Sequence, residues 1–290
     1  MIVVRGAGAG PTLWVQAGLH GDEGDGVVAV LRWLDALDAG ALQGTVIAVP
    51  VVNTPAFLAG AAANPVDGRN LNRSFGGERD TWTERFAGWL LSRVARDATA
   101  FVDLHGGGRG LEVADFAFYA DDQDAGDDDA PSRRLALASG VRFVCAPPST
   151  HACALYQVLG ARGIPAVLIE AGGGTTWQEA AVARHVRALD SILSAMGMVP
   201  AAADARERVP ATAISRTVEL YSSKDAIVVD HAAPGTLVRR GEPVVQLHDL
   251  TGRPIAAIAS PLPSAIVLSV AASALLRTGG YACLLGESAA

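Results

Sequence analysis

The stretch LWVQAGLHGDE, residues 13–23, decides the fold of this chain. Its apolar residues 13–17 predict a buried strand, after which glycines flank a histidine that stands three residues before a glutamate. Apolar residues recur at helical spacing over residues 24–37, so the polar loop lies between a strand and a helix. Because open α/β folds place their sites at such junctions, we expect His20 and Glu23 to be functional.

Two further strand ends repeat this pattern. Residues 100–108, AFVDLHGGG, form an apolar run that leads into His105 and glycines, and residues 164–174 lead into Glu170 and glycines. A catalytic zinc site usually takes three protein ligands and leaves one position to water, so His105 is the best candidate for the third ligand. A further carboxylate can take a proton from that water and return it to a leaving nitrogen, and we assign this role to Glu170.

A long loop, residues 56–77, carries two arginines among small residues. Loops of this length inside compact domains tend to be functional. Guanidinium groups match carboxylates and developing oxyanions, so Arg69 and Arg73 are predicted to bind substrate. Asp103 stands two residues before His105, hence on the same face of its strand, and is predicted to orient that ligand.

Each of these residues also has a structural interpretation. His20 alone fits a turn, His105 a capped strand end, and Glu170 the cap of the following helix or a partner for an arginine. Arg69 and Arg73 also fit structural salt bridges. Because all of these residues occur together at glycine-rich strand ends, a shared functional site is favoured over separate structural roles. The other histidines lack partner spacing and are predicted to lie outside it; they are His151, His185, His231 and His248.

Composition excludes several classes of protein. Half of the 290 residues are apolar and 18% are charged, which predicts a folded core. A net charge of -7 argues against a nucleic-acid surface, and the single lysine, Lys224, lies outside any P-loop motif. The chain start lacks the pattern of a signal peptide. The cysteines lack a paired spacing and fit buried thiols in a reducing cytoplasm; they are Cys145, Cys153 and Cys283.

The sequence pattern changes near Pro200, and we predict a domain boundary there. Residues 1–200 alternate strands and helices, which predicts an α/β domain with a mixed, mostly parallel sheet and helices on both faces. Residues 201–208 fit a linker, and residues 209–290 predict a small all-β barrel or sandwich. Within the latter, the triplet AIV at residue 226 recurs at residue 265, which indicates an internal repeat.

Two compositionally biased segments are predicted to be structural. Residues 6–10, GAGAG, precede a strand rather than open a helix, which favours a hairpin loop over a dinucleotide fingerprint. Residues 121–129, DDQDAGDDD, miss the spacing of an EF-hand and fit a solvated surface loop.

Four motifs in the right order resemble the succinylglutamate desuccinylase/aspartoacylase family, which is related to zinc carboxypeptidases. The motifs are GLHGDE at residues 18–23, DGRNLNR at 67–73, DLH at 103–105 and IEAG at 169–172. The resemblance covers most of the chain, since that family also carries a β-rich C-terminal domain. It implies a zinc carboxypeptidase-like fold and hydrolysis of an amide between a small acyl group and an amino acid or similar amine.

The resemblance also implies a set of site residues. One zinc ion per chain would be held by His20, Glu23 and His105, with Glu170 as catalytic base and acid. Substrate contacts to a carboxylate or carbonyl would come from Asn72 and Arg73, the residues that end the second motif.

One departure from the family pattern concerns charge. Many members carry an arginine shortly before the DG pair, where this chain reads GAAANP at residues 60–65. Either Arg69 or Arg109 replaces that arginine, or the substrate is less anionic than succinylglutamate or acetylaspartate.

Two other functions fit the same residues. A zinc carboxypeptidase acting on short peptides would use the same metal site. A non-catalytic metal-binding or carrier-like protein is the second alternative, because the repeat in the tail resembles lipoyl and biotinyl domains. Lys224 stands at the start of a β-run and not clearly at a hairpin tip, which argues against a carrier. We expect a small-molecule substrate and neither nucleic acid nor membrane as partner; the sequence is compatible with a homo-oligomer.

Overall fold

The computed structural model describes residues 1–121, 130–174, 177–200 and 210–288. The predicted linker at residues 201–208 lies outside these residues. So does the predicted acidic surface loop, apart from Asp121.

The first half of the chain alternates strands and helices, as predicted. Its strands are β1 (Ile2–Arg5), β2 (Gly8–Ala17), β3 (Gln43–Val49), β4 (Ala100–His105), β5 (Leu111–Tyr119), β6 (Phe143–Cys145) and β7 (Ala166–Gly173). Its helices are α1 (Gly24–Ala36), α2 (Thr54–Ala59), α3 (Trp82–Asp97), α4 (Pro131–Ala138), α5 (Leu155–Gly160) and α6 (Glu179–Ala195). The second half contains strands β8 (Thr212–Ile214), β9 (Thr217–Tyr221), β10 (Ala226–His231), β11 (Leu237–Arg239), β12 (Pro243–His248), β13 (Ile258–Ala259), β14 (Ser264–Ala271), β15 (Leu275–Leu276) and β16 (Tyr281–Glu287).

Parallel strands β3, β2, β4 and β7 form the centre of the main sheet. Both faces of this centre are covered, because successive side chains of a strand point to opposite faces and both sets are apolar. Leu13 and Val15 of β2 pack in one cluster with α1, α4 and α6. Trp14, between them, packs in the opposite cluster with Leu90 of α3 and Leu155 of α5. The helices therefore lie on both faces, as the alternation predicted.

The start of the chain differs from the prediction of a hairpin. Strands β1 and β2 both pair with β3, β1 antiparallel and β2 parallel, so they lie on opposite sides of it. Residues 8–10, part of the predicted turn, belong to β2. The glycines allow a close approach to β3, since a Cβ at Gly10 would lie 2.8 Å from the backbone of Gln43 and Gly44.

The C-terminal strands continue the main sheet. Strand β5 runs antiparallel to β7 on one side and to β14 on the other, and β14, β16 and β9 follow as antiparallel neighbours. A second antiparallel sheet, in the order β13-β12-β10-β15, packs against them around a shared apolar core. The β-rich character of this half is confirmed; its separation as a domain at residues 209–290 stays a prediction.

The internal repeat has a structural counterpart. The two AIV triplets begin at Ala226 in β10 and at Ala265 in β14. Strand β10 of the first repeat pairs with β15 of the second, and β14 of the second pairs with β11 of the first. Each repeat thus supplies a strand partner to the other, so neither forms a complete unit alone.

Two further findings bear on the sequence predictions. Cys145 and Cys283 are buried as expected, but Cys153 is exposed, because it lies in the turn after the short 3₁₀ helix Ser149–His151. None of the helices in the described residues combines the length and apolarity that a membrane crossing requires.

The packing of the central sheet predicts which side chains contribute most to the stability of the fold. Phe101 of β4 is fully buried, with 0% exposure, whereas Leu58 of α2 is 81% exposed. We expect Phe101→Ala to lower the free energy of unfolding by about 3–5 kcal/mol, because it removes buried area and leaves a cavity. Leu58→Ala, the control, is expected to change it by less than about 0.5 kcal/mol. Urea unfolding followed by circular dichroism measures both; equal effects would contradict the assignment of the core.

Candidate active site

The loop after β2 is held by close backbone packing. Gly18 has a φ of 64°, in the left-handed region that glycine adopts at no steric cost. A Cβ at Gly21 would lie 2.0 Å from the carbonyl group of Ala56 in α2, so a larger residue does not fit there. The loop is therefore pressed against α2, and His20 and Glu23 project from it on the same side.

Three side chains from two strand ends converge at this point. Nδ1 of His20 lies 2.7 Å from Oε1 of Glu23, and Nδ1 of His105 lies 2.8 Å from Oε2 of the same carboxylate. The two imidazole rings meet edge to face with centroids 5.0 Å apart. One potential donor atom from each residue lies within 4.8 Å of the others. Two imidazoles and a carboxylate at such spacing suit a divalent cation.

The electrostatics of these residues also fit a cation. Burial raises the pKa of Glu23, but the charges and hydrogen bonds of His20 and His105 more than offset it and hold the pKa well below its usual range. Burial lowers the pKa of His105, but the carboxylates of Glu23 and Asp103 raise it well above its usual value. The side chain of His105 is 1% exposed. The carboxylates of Glu23 and Asp103 thus place negative charge next to buried imidazole nitrogens. This negative charge would stabilise a cation bound there.

Asp103 lies behind His105, on the side away from Glu23. Its Oδ2 atom is 3.4 Å from Nε2 of His105 and accepts a hydrogen bond from Nε2 of Gln16 at 3.2 Å. A carboxylate this close to an imidazole nitrogen is placed to orient the ring, which is the role that the sequence predicts for Asp103.

Glu170 lies on the neighbouring strand, level with His105. The register of β4 and β7 pairs the two residues directly. Oε2 of Glu170 is buried without a hydrogen-bond partner among the described residues. Burial raises the pKa of Glu170 to about 8; the negative charge of Glu23 adds to this effect and His105 opposes it. A carboxyl group with such a pKa takes up and releases a proton near neutral pH.

The loop that carries the predicted substrate residues is anchored to α3. Both oxygens of Asp67 accept hydrogen bonds from Thr83, one from its backbone N–H at 2.8 Å and one from its hydroxyl at 2.7 Å. Oδ1 of Asn70 accepts from the N–H of Asn72 and lies 3.2 Å from Nε2 of His20. The loop is thereby tied both to the scaffold and to the candidate metal centre.

The two arginines of this loop lie in different places. Asn72 and Arg73 line the cleft above the candidate metal centre. Arg69 does not line it: its guanidinium is 53% exposed and pairs with Glu84 of α3 at 3.1 Å. In the fold, Arg69 therefore has the position of a structural salt-bridge partner and not that of a residue lining the cleft.

Arg109 lies on the cleft wall next to the loop where the family arginine is missing. A Cβ at Gly60 would lie 2.8 Å from a terminal nitrogen of Arg109, and Ala62 lines the cleft beside it. Of the two candidates for the missing charge, Arg109 is the one that borders the cleft.

The cleft has a volume of about 420 Å³, enough for a small-molecule substrate. Sequence reasoning missed several of its residues, which come from outside the motifs: His151, Glu219, Tyr221 and Tyr281. Nδ1 of His151 lies 2.9 Å from the hydroxyl of Tyr156, and burial lowers the pKa of His151 to about 3, which keeps it neutral. The alternation in Thr217–Tyr221 sets Glu219 and Tyr221 on one face of β9 and could have marked them as a polar pair, but it does not indicate which cleft that face borders.

The other four histidines are not members of the group of side chains that could hold a metal ion. Within the part of the chain that the structure describes, the group able to hold a metal ion consists of His20, Glu23 and His105.

Comparisons with known proteins point to one family. The model of the succinylglutamate desuccinylase/aspartoacylase catalytic domain matches residues 9–196. A curated relative, N-alpha-acetyl-L-2,4-diaminobutyric acid deacetylase of Halomonas elongata, is 31% identical over 265 residues, which are 89% of this chain and 76% of that protein. The resemblance inferred from the four sequence motifs is confirmed.

Solved structures agree with this result. A product-bound structure of the ectoine utilization protein EutE (DoeB) from Ruegeria pomeroyi has a TM-score of 0.87 and 25% identity, covering 99% of this chain and 88% of that one. A succinylglutamate desuccinylase/aspartoacylase from Rhodobacter sphaeroides has a TM-score of 0.86 and 24% identity at the same coverage. These likenesses confirm the mixed α/β fold with its antiparallel C-terminal sheet.

The convergence of three donors predicts the effect of removing one of them. We expect His105→Ala to weaken zinc binding more than about 100-fold, because it leaves two donors where three converge. His231→Ala, in β10 and outside the group, is the control and is expected to bind zinc as the wild type does. Titration with a competing chelator measures the affinity; unchanged affinity in His105→Ala would remove this residue from the centre.

Proposed function

Since this chain belongs to the succinylglutamate desuccinylase/aspartoacylase family, we propose that it is a zinc-dependent deacylase that hydrolyses the amide bond of a small N-acyl amino acid. The observation that carries the proposal is the convergence of His20, Glu23 and His105 beside Glu170 at one cleft. The name of the Halomonas relative, a deacetylase of an N-acetylated amino acid, supports the same reaction.

The metal would be held by His20, Glu23 and His105. When bound there, zinc supplies a Lewis acid that lowers the pKa of water and polarises the acyl carbonyl. Nδ1 of each imidazole already faces the carboxylate of Glu23, and Asp103, 3.4 Å from Nε2 of His105, would orient that ring. The chain therefore has little reorganisation to make when it takes up the cation.

Glu170 moves the proton in this mechanism. Its carboxylate takes a proton from the attacking water and delivers it to the amide nitrogen. The water oxygen forms the new bond to the acyl carbon, the C–N bond breaks, and the products are a carboxylic acid and an amine. The pKa of Glu170, which burial raises to about 8, suits both halves of this transfer near neutral pH.

The cationic side chains would orient the substrate. Asn72 and Arg73 lie on the cleft wall at the end of the anchored loop, and Arg109 lies on the wall beside Ala62. Guanidinium groups bind a carboxylate or stabilise the oxyanion that forms on the acyl carbonyl. We assign these roles to Arg73, Asn72 and Arg109, and not to Arg69, because Glu84 engages Arg69 outside the cleft.

The broader predictions remain part of this proposal. The chain would have a zinc carboxypeptidase-like α/β domain at residues 1–200 and a β-rich domain at residues 209–290. It would act in the cytoplasm on a small molecule, with neither nucleic acid nor membrane as partner.

A substrate panel tests the proposed reaction. Zinc-loaded protein is expected to release amino acid from acetyl and succinyl amino acids, and the released amine is measured by derivatisation. Unblocked dipeptides, assayed at the same concentrations, separate the deacylase from a carboxypeptidase acting on short peptides. Cleavage of dipeptides alone would overturn the proposal. Absence of all turnover, with full zinc content, would favour the non-catalytic alternative.

Replacement of Glu170 tests its role in proton transfer. We expect Glu170→Gln to keep zinc affinity but to lower kcat by about 10²–10⁴-fold, since the amide cannot accept the proton. Glu179→Gln changes a carboxylate that pairs with Arg32 on the surface, and this control is expected to keep wild-type kcat. Steady-state kinetics and zinc analysis of both variants measure the effect. A kcat within twofold of the wild type in Glu170→Gln would remove Glu170 from the mechanism.

A further inference from the structure

The cleft is lined by one histidine that neither the candidate metal centre nor the proton transfer uses. His151 lies in the turn between β6 and α5, borders the cleft and is 9% exposed. Its Nδ1 atom lies 2.9 Å from the hydroxyl of Tyr156. Its Nε2 atom has no hydrogen-bond partner among the described residues and remains accessible. This second ring nitrogen is therefore available to a ligand.

Buried aromatic side chains fix the orientation of this imidazole ring. Phe118, which is 2% exposed, meets the ring of His151 edge to face with centroids 5.0 Å apart. Tyr156, which is fully buried, stacks on Phe118 and holds Nδ1 through its hydroxyl. The backbone N–H of His151 also donates to the carbonyl of Pro148 at 3.0 Å. Nε2 therefore points in one direction before any ligand binds.

The segment that carries His151 is joined to the loop that carries the proposed substrate residues. The backbone N–H of Phe75 donates to the carbonyl of Cys153 at 3.2 Å. The backbone N–H of Leu155 donates to Oδ1 of Asn72 at 3.3 Å. These two hydrogen bonds hold the two segments side by side on the cleft wall.

His151 and Arg73 therefore form one polar patch of the wall, with one positive charge. Burial, followed by the charge of Arg73, lowers the pKa of His151 to about 3, so that the imidazole is neutral at neutral pH. The guanidinium of Arg73 donates to the carbonyl of Asn72 and forms no salt bridge with a carboxylate of the described residues. A guanidinium without an anionic partner, next to a neutral ring nitrogen, suits a carboxylate of the ligand.

Tyr156 determines which ring nitrogen of His151 carries the proton. Burial raises the pKa of Tyr156 well above its usual value, so the phenol keeps its proton. A phenol O–H is a stronger donor than a neutral imidazole N–H, and an imidazole nitrogen is a stronger acceptor than a phenol oxygen. The hydroxyl of Tyr156 is therefore expected to donate to Nδ1, which leaves the proton of the ring on Nε2.

We propose that His151, oriented by Tyr156, is a specificity residue that donates a hydrogen bond from Nε2 to the carboxylate of the amino-acid part of the substrate, beside Arg73. The inference rests on the proposed deacylase function and adds a residue to its substrate site. His151 takes no part in breaking the C–N bond, and the proton transfer stays with Glu170.

The test compares two substrates that differ in the carboxylate alone. They are the acylated amino acid that the substrate panel identifies as best and its carboxamide, assayed on zinc-loaded protein. We expect the wild type to prefer the carboxylate by more than about 100-fold in kcat/KM, and His151→Phe to lower this preference at least about tenfold, mainly through KM. Phenylalanine keeps the aromatic contact with Phe118 and removes the N–H group.

Two further variants separate the hydrogen bond from packing. His151→Gln places an amide N–H close to the position of Nε2 and is expected to keep the preference within about threefold of the wild type. His231→Phe is the matched control, since His231 lies on β10 and does not line the cleft. It is expected to keep the wild-type preference.

Nuclear magnetic resonance of the ¹⁵N-labelled, zinc-loaded protein tests the tautomer without any turnover. The signals of His151 are assigned by their absence in His151→Gln. We expect a neutral ring protonated at Nε2 near pH 7 in the wild type, and a mixture of both tautomers in Tyr156→Phe. A proton on Nδ1, or a charged ring, would overturn the role of His151 as a donor.

The outcomes separate this inference from the proposed function. An unchanged preference in His151→Phe, an equal loss for both substrates, or an equal loss of preference in His151→Gln would overturn the role of His151 and leave the deacylase intact. If no N-acyl amino acid is hydrolysed, the proposed function fails, and calorimetry with N-acetylalanine and its carboxamide then decides the inference. Tighter binding of the carboxylate, lost in His151→Phe and kept in His151→Gln, supports it; equal affinities overturn it.

Discussion

The parallel register of β2, β4 and β7 is the constraint on which the site depends. Parallel strands end at the same edge of a sheet, so the residues that follow β2, end β4 and lie along β7 meet at that edge. His105 and Glu170 are direct neighbours in this register. The apolar clusters on both faces fix the strands, and the glycines after β2 let the backbone approach α2 closely.

The sequence predicted the parts of the site that local pattern controls. His20, Glu23, His105 and Glu170 each stand at the end of an apolar run before glycines, and such a pattern identifies strand ends without knowledge of the topology. The roles of Arg69 and Arg73 could not be separated in the same way, because both lie in one loop among the same residue types. What separates them is Glu84 on α3, which engages Arg69.

The C-terminal contribution was beyond sequence reasoning for a different reason. Glu219 reaches the cleft only because β5 pairs with β7 on one side and with β14 on the other, which continues the sheet through β16 to β9. No short-range pattern encodes these pairings between distant strands. Other pairings between distant segments overturned the expected hairpin at the chain start, where β1 and β2 each pair with β3.

The continuous sheet has a consequence for how this molecule tolerates change. Because β14 pairs with residues 111–113 of β5, removal of the C-terminal half would leave the backbone N–H and C=O groups of that short segment unsatisfied, an edge prone to aggregation. Neither half can therefore simply be replaced by a domain from another protein, although the two halves differ in secondary structure. A recombinant chimaera with a foreign tail would have to reproduce the β5 to β14 ladder before its catalytic half could stay monodisperse.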